Sequence, residues 1–450
     1  MFLNDEDLIV TNEKIVITGR GVITPLGCTI ESLWSGLLAG KSGIGTMDFQ
    51  SFDESQYKSR VAGNVQNFDI NFYFENDKGF KRQGRLTNFA LVTAKMAFED
   101  AGFTFELKKG ESGKATYSVK GINSGRCAII LGIGVHNMDI SEKYHALLIE
   151  HNGPRKLSPF ALPFIPTNIV GGLIAEKFLL TGPSYTISTA CASGTHALIN
   201  AFHMLRSGVC DIAIAGGVES CITPYVFGGF DSMKALSRNP DPDTACRPFD
   251  KDRDGFVMSE GSGLLILETE THAKARGARI LAELAGGAMT SDAFHITIPN
   301  PTGESAVAML HEAMKVAHVS ADEIGYINPH GTSTPLNDPN ESFIIKQVFG
   351  DRAYKIPISS TKSMLGHSIG ASGGIEAIVV LETILSGKIH PTRNLVNPDS
   401  DFSDPYFPEL DKRCDLDYVP GSAREQRVDV AISESFGFGG QNGAVIIRRY

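Results

Sequence analysis

The segment ISTACASGTHALINAFHMLRSG, residues 187–208, is echoed by ISSTKSMLGHSIGASGGIEAIVVLETILSG, residues 358–387. Each opens on Ile-Ser, passes through small residues, turns into an apolar helix and stops at Ser-Gly. The echo extends in both directions. GFVMSEGSGLLILE (255–268) is matched by GFGGQNGAVIIR (437–448), a glycine-punctuated turn feeding a continuous apolar strand, as a sheet covered on both faces requires. Upstream, KIVITGRGVITPLG (14–27) and RILAELAGGAMTSDAF (279–294) both read as the opening strand of a unit. A degenerate repeat of long period, present twice, predicts a duplicated α/β chain rather than a solenoid. The expected division is 1–277 and 278–450, with the strand-to-helix turns of both halves facing a shared centre. No Pro/Ser tract separates the halves, so one compact body is expected. Chance similarity is the competing explanation, because α/β proteins reuse the strand-turn-helix unit.

A chain of 450 residues has ample length for a large core, and 47 glycines against one tryptophan fit tight turns and close backbone contacts. The formal charge of −10 argues against a nucleic-acid or anionic-membrane surface as the main task. The start, MFLNDEDLIVTNEK, is acidic where a secretory signal is basic, and no apolar run reaches the length of a membrane span. A cytoplasmic protein is expected. Seven dispersed cysteines, with no C-x-x-C pair and no zinc spacing, read as reduced thiols, most of them small core residues; no metal or other cofactor is called for. Two polar stretches, 105–126 and 397–415, have the Gly, Pro, Asp and Ser density of surface loops.

Four segments carry candidate chemistry. Cys191 sits on the strand-to-helix joint, where Ser188 or Thr189 is expected to cap the helix and the positive end of its dipole to favour a thiolate. Its neighbours Ala190, Ala192, Ser193 and Gly194 let a bulky acyl group approach. In NPHGTSTPLNDPNE (328–341) a strand delivers His330 into a run of hydroxyls that packing alone does not require. STKSMLGHSIGASGG (360–374) places Lys362 and His367 in the second half's counterpart of the Cys191 turn. SFGFGGQNGA (435–444) has glycines able to expose backbone N–H groups as an oxyanion hole.

With these motifs, and with GPRKLSPF, RPFDKDRDGFVMSEGSG and CDLDYVP, nearly the whole chain resembles the elongating β-ketoacyl-acyl-carrier-protein synthases of the thiolase superfamily. The resemblance implies a duplicated, thiolase-like five-layer αβαβα fold, a homodimer, and acyl carrier protein as partner. It implies that Cys191 takes an acyl group from a carrier-protein thioester. His330 and His367 then promote decarboxylation of malonyl-carrier protein and hold the enolate, giving a β-ketoacyl product two carbons longer. By the same resemblance the amides of Cys191 and Phe438 form the oxyanion hole, Phe438 is a gate, and Lys362 pairs with Glu341. Asp338 and Glu341 are supporting acids, Thr332 and Thr334 meet the pantetheine arm, and Phe230 and Val135 lie near the acyl pocket. The chain departs from the pattern at Asn337, where the family has Gly, and at GVHN (134–137), where His136 bears on chain length or the dimer seam.

Three other functions compete with this one. A thiolase needs a second cysteine in the C-terminal glycine loop, and GFGGQNG has none. A non-catalytic chain-length-factor subunit loses the nucleophile, which is present here. A Cys-His hydrolase needs neither a second histidine nor a lysine.

Overall fold

The computed structural model describes residues 13–47, 49, 52–75, 78–109 and 115–450. The acidic start, up to residue 12, lies outside the described residues. The strands of the principal sheet are β1 (Ile15–Ile23), β2 (Cys127–Gly132), β3 (Ser184–Ile187), β4 (Ile212–Glu219), β5 (Gly261–Thr269), β6 (Ala282–Ser291), β7 (Tyr326–Asn328), β8 (Val430–Gly437) and β9 (Gln441–Arg448). Their order is β7-β8-β9-β6-β1-β5-β4-β2-β3. The first-half strands β1 to β5 thus meet the second-half strands β6 to β9 at one seam, where Ile15, Val16 and Ile17 pair antiparallel with Leu284, Glu283 and Ala282. Counted outward from that seam, each half runs in the same order: first, fifth, fourth, second, third. In the second half the third strand is reduced to a single parallel bridge, Ile327 to Ile358. β4 and β5, buried along almost their entire length, are the apolar strands that a two-sided burial demands.

Five layers follow from the helices. α1 (Arg85–Asp100) and α2 (Asn168–Phe178) cover the outer face of the first half, while α4 (Glu304–Ala317) and α5 (Asn337–Phe349) cover that of the second. Between the first-half and second-half strands lie α3 (Ser193–Arg206) and α6 (Ser372–Ser386), each touching strands of both halves. From Ser372 to Ile384 every residue of α6 is buried, as expected of a helix that is apolar on all sides. Contrary to the expectation that no apolar run is long enough to span a membrane, Ile369–Ser386 is long and apolar enough, but it is α6 with the turn before it, 89% buried in the central layer. Glycines allow the two central helices to touch: a Cβ on Gly373 would stand 2.1 Å from Thr195 Oγ1.

One expected loop is a strand pair. Phe105–Lys109 and Ala115–Val119 form an antiparallel hairpin within 105–126, its connection lying outside the described residues. The Lys, Gly and Ser content concealed it because one face is solvated, while Phe105 packs its ring against Phe98 and Phe178. Residues 397–415 contain no helix or strand, as expected of a loop.

Candidate active site

The two repeated turns close on each other between the first-half and second-half strands. In each, a non-glycine residue takes positive φ, Ala190 at 50° and Ile369 at 45°, one turn of 3-10 helix follows, and the central helix starts at a serine, Ser193 or Ser372. Such backbone strain is held only where surrounding structure enforces it. It aims Cys191, on the first turn, into a cavity of about 340 Å³ that is also lined by His330, His367, Phe438, Thr332 and Thr334. The imidazoles of His330 and His367 stand edge to face, their centroids 5.1 Å apart at 89°. Phe438 lies 6.2 Å from Phe230, which lines the same cavity. Gly437 approaches the nucleophile's turn so closely that a Cβ there would stand 2.8 Å from Thr189 O and 3.2 Å from Cys191 N. The amides of Phe438 and Cys191 both favour negative charge at Sγ.

The capping expected of Ser188 or Thr189 is absent: neither side chain bonds the helix start. Ser193 Oγ instead accepts from Thr189 N (2.9 Å) and donates to Ala190 O (2.6 Å), tying the turn together. The resting thiolate is also corrected. Cys191 is 8 % exposed, and burial pushes its thiol up to about 12 against the pull of Lys362 and of the Phe438 amide. The favourable charge at a helix end does not offset desolvation here. Burial, and then the Lys362 ammonium, hold both imidazoles well below the usual histidine range, so both are neutral near pH 7.

Lys362 pairs with Glu376, one helical turn into α6, and not with Glu341. Glu341 is committed elsewhere, accepting from the amides of His330 (2.5 Å) and Gly331 (2.7 Å). Asp338 likewise accepts from Thr332 N and Ser333 N at 3.1 Å, and from Phe249 N at 2.9 Å. These two acids at the start of α5 therefore fix the backbone of the His330 loop. Asn337, the departure from the family pattern, donates to both Asp338 and Glu341 at 3.2 Å and lines the cavity. Thr332 and Thr334 bring their hydroxyls within 3.0 Å of each other on the cavity wall. Val135 is packed in the apolar cluster around Cys191 without lining the cavity. His136 contacts Ser141 Oγ at 3.1 Å and also stays off the cavity.

Three buried acids were not foreseen. Glu219 accepts from Gly134 N (2.9 Å), Val135 N (3.1 Å) and Gly370 N (3.1 Å), joining the Val135 loop to the His367 turn; burial raises it to about 8. Glu376 is raised to about 7 by burial, against the Lys362 charge. Glu434 is fully buried, with no N–H or O–H donor at either oxygen, and its neighbour is the Glu341 carboxyl. A proton shared between Glu341 and Glu434 satisfies both: burial, and then the Glu341 charge, raise Glu434, while burial raises Glu341 against the hydrogen bond from Glu434. The signal for Glu376 and Glu434 was a lone carboxylate inside an apolar run, SGGIEAIVVL and VAISESF.

That shared proton has a stability consequence. Above the ordinary carboxyl value of 4.5 the unfolded chain has released a proton that the native pair retains, so native stability falls as pH rises toward the raised native value. Glu434→Gln removes one of these titrations and is expected to flatten the decline of the thermal midpoint as pH rises above the ordinary carboxyl value. Parallel Tm-against-pH curves for variant and parent would contradict the shared proton.

A duplicated fold whose halves bring one cysteine and two neutral histidines onto one cavity defines a thiolase-like condensing class. Residues 12–273 match the family model of the beta-ketoacyl synthase N-terminal domain and residues 281–396 that of its C-terminal domain. A 3-oxoacyl-[acyl-carrier-protein] synthase 2 of Synechocystis sp. is 42% identical over 439 residues, covering 97% of this chain and 98% of that protein. A beta-ketoacyl synthase crystal structure from Burkholderia phymatum superposes with a TM-score of 0.85 at 31% identity, covering 97% of this chain and all of that one. A type II polyketide synthase ketosynthase solved with its acyl-carrier protein gives the same TM-score and identity over 98% of this chain and 100% of that chain. This chain belongs to the β-ketoacyl synthase family.

Proposed function

We propose that the chain extends an acyl thioester by two carbons through decarboxylative Claisen condensation with malonyl-carrier protein, in fatty-acid or related biosynthesis. The observation that carries this is the convergence of Cys191, His330 and His367 on one cavity from three distant segments. In the first step Cys191 Sγ attacks the acyl carbonyl, the carrier thiolate leaves, and the thiol proton goes with it by way of a neutral imidazole. In the second, the malonyl C–C bond breaks, CO₂ departs, and the electron pair forms an enolate. His330 and His367 donate to its oxygen as charge develops there. The enolate carbon then attacks the acyl-Cys191 carbonyl, and the amides of Cys191 and Phe438 hold that oxyanion. Collapse expels Cys191 as a thiolate, which takes one proton from water, and leaves a β-ketoacyl-carrier protein.

Neutral histidines suit this route, because an N–H facing the thioester oxygen stabilises an enolate while leaving a basic nitrogen for proton movement. Lys362 is assigned to electrostatic support of the imidazoles, with Asp338 and Glu341 positioning the His330 loop. Thr332 and Thr334 are assigned to the pantetheine arm, Phe438 to gating and Phe230 to the acyl pocket, with Val135 behind it in the apolar packing around Cys191. The nucleophile-bearing half is taken as residues 1–277 and the histidine-bearing half as 278–450. The proposed state is a cytoplasmic homodimer; in its support, the outer edge of β3 has no strand partner among the described residues and is a template for a second copy.

The test supplies the purified chain alone with acyl-carrier protein and malonyl-carrier protein. Release of CO₂ together with a product two carbons longer than the acyl donor is expected. Condensation only on addition of a second ketosynthase chain would contradict the proposal.

A further inference from the structure

We propose that Ser372 is the positioning residue that fixes the tautomer of His367, so that the imidazole always presents Nε2–H to the cavity. The duplication supplies the contrast. CASG (191–194) and GASG (370–373) occupy equivalent turns, each with positive φ just before and a helix starting at its serine. Ser193 spends its hydroxyl on the backbone of its own turn, as described above. Ser372 Oγ lies instead 3.0 Å from His367 Nδ1, and 3.2 Å from Ser368 Oγ. All three side chains are buried.

The direction of these hydrogen bonds follows from counting protons. If Ser368 donates to Ser372 Oγ and Ser372 donates to Nδ1, every hydroxyl proton has an acceptor. In the reverse direction Nδ1–H donates to Ser372 and Ser372 to Ser368, and the Ser368 proton finds no acceptor among the described residues. A buried hydroxyl left without an acceptor loses its hydration with nothing in return. The first arrangement therefore wins, and a neutral imidazole with Nδ1 accepting carries its proton on Nε2. Nε2 is buried without a protein partner, as a donor reserved for a substrate oxygen is. His330 has no such support: its Nδ1 is buried and unpartnered. The two histidines thus differ, His367 being a fixed donor and His330 free to exchange its proton between nitrogens.

This role rests on the condensation proposed above, and its test separates the two. Full-length protein carrying ¹⁵N-labelled histidine is compared by NMR with Ser372→Ala, the His367 signal being assigned by its loss in His367→Gln. The parent is expected to show one Nε2–H tautomer and Ser372→Ala a mixture. Malonyl-carrier-protein decarboxylation is expected to fall roughly tenfold in Ser372→Ala, the scale on which outer hydrogen-bond partners tune a histidine. Cys191 acylation is expected to be unchanged, and in a His367→Gln background the serine substitution should have no further effect. An unchanged single tautomer in Ser372→Ala, or an equal rate loss in the His367→Gln background, would overturn the proposal. Should Ser372→Ala fail to fold, Ser368→Ala probes the same relay, with a tautomer mixture supporting the proposal and a single tautomer overturning it. Absence of decarboxylation in the parent would overturn the condensation reading while leaving the tautomer result intact.

Discussion

Replacing Cys191 by alanine is expected to lower two-carbon extension by about 10³-fold or more while malonyl-carrier protein is still decarboxylated. The thiol is the atom that carries the acyl group, and Cys221 and Cys246 are not substitutes: both are fully buried near the site and neither lines its cavity. The decarboxylation step does not use sulfur. It uses the two imidazoles, which Cys191→Ala leaves in place because the turn beside them is held by Ser193 and by the close approach of Gly437. Measuring CO₂ release and condensation product in the same reaction separates the two steps. Equal loss of both would mean that Cys191 holds the site together rather than carrying the acyl group.

Replacing His330 or His367 by alanine is expected to give the complementary pattern. Decarboxylation should fall by about 10²- to 10³-fold, the usual consequence of deleting one donor to a developing oxyanion. Acylation of Cys191 should persist in each single variant, since the remaining imidazole can still carry the thiol proton and the amides of Cys191 and Phe438 that favour charge at Sγ belong to other segments. The double variant should be only modestly worse than either single one, because the imidazoles face one oxygen and act as a unit. Rapid-quench measurement of acyl-enzyme and of CO₂ separates the steps, and decarboxylation preserved in both single variants would remove the histidines from this role. Because burial keeps both imidazoles neutral, decarboxylation should also lose rate as pH falls far enough to protonate them, with its midpoint below the ordinary histidine value.

The duplication was legible because each half must build the same strand, turn and buried helix, and small residues are the only ones that let α3 and α6 approach. Cys191, His330 and His367 were legible for a related reason: each interrupts a run of small or hydroxylated residues at the end of a strand or in its repeat. The charge partners were not. Glu341 and Glu376 both lie downstream of turns that reach the centre, and which of them meets Lys362 depends on a helix orientation that residue spacing does not encode. The state of the thiol was misjudged because a helix end can be recognised in a sequence, whereas the desolvation opposing it is a property of the assembled core. The hairpin near residue 105 was hidden by its solvated face, where composition imitates a loop.

The most direct test of the central claim is intact-mass analysis of the purified chain through a single turnover. Mixed with an acyl-carrier protein, it should gain one acyl mass, mapped to Cys191 and absent from Cys191→Ala. On addition of malonyl-carrier protein that mass should disappear as a β-ketoacyl-carrier protein two carbons longer forms. An adduct mapped to another residue, or one discharged as free acid without extension, would contradict the account.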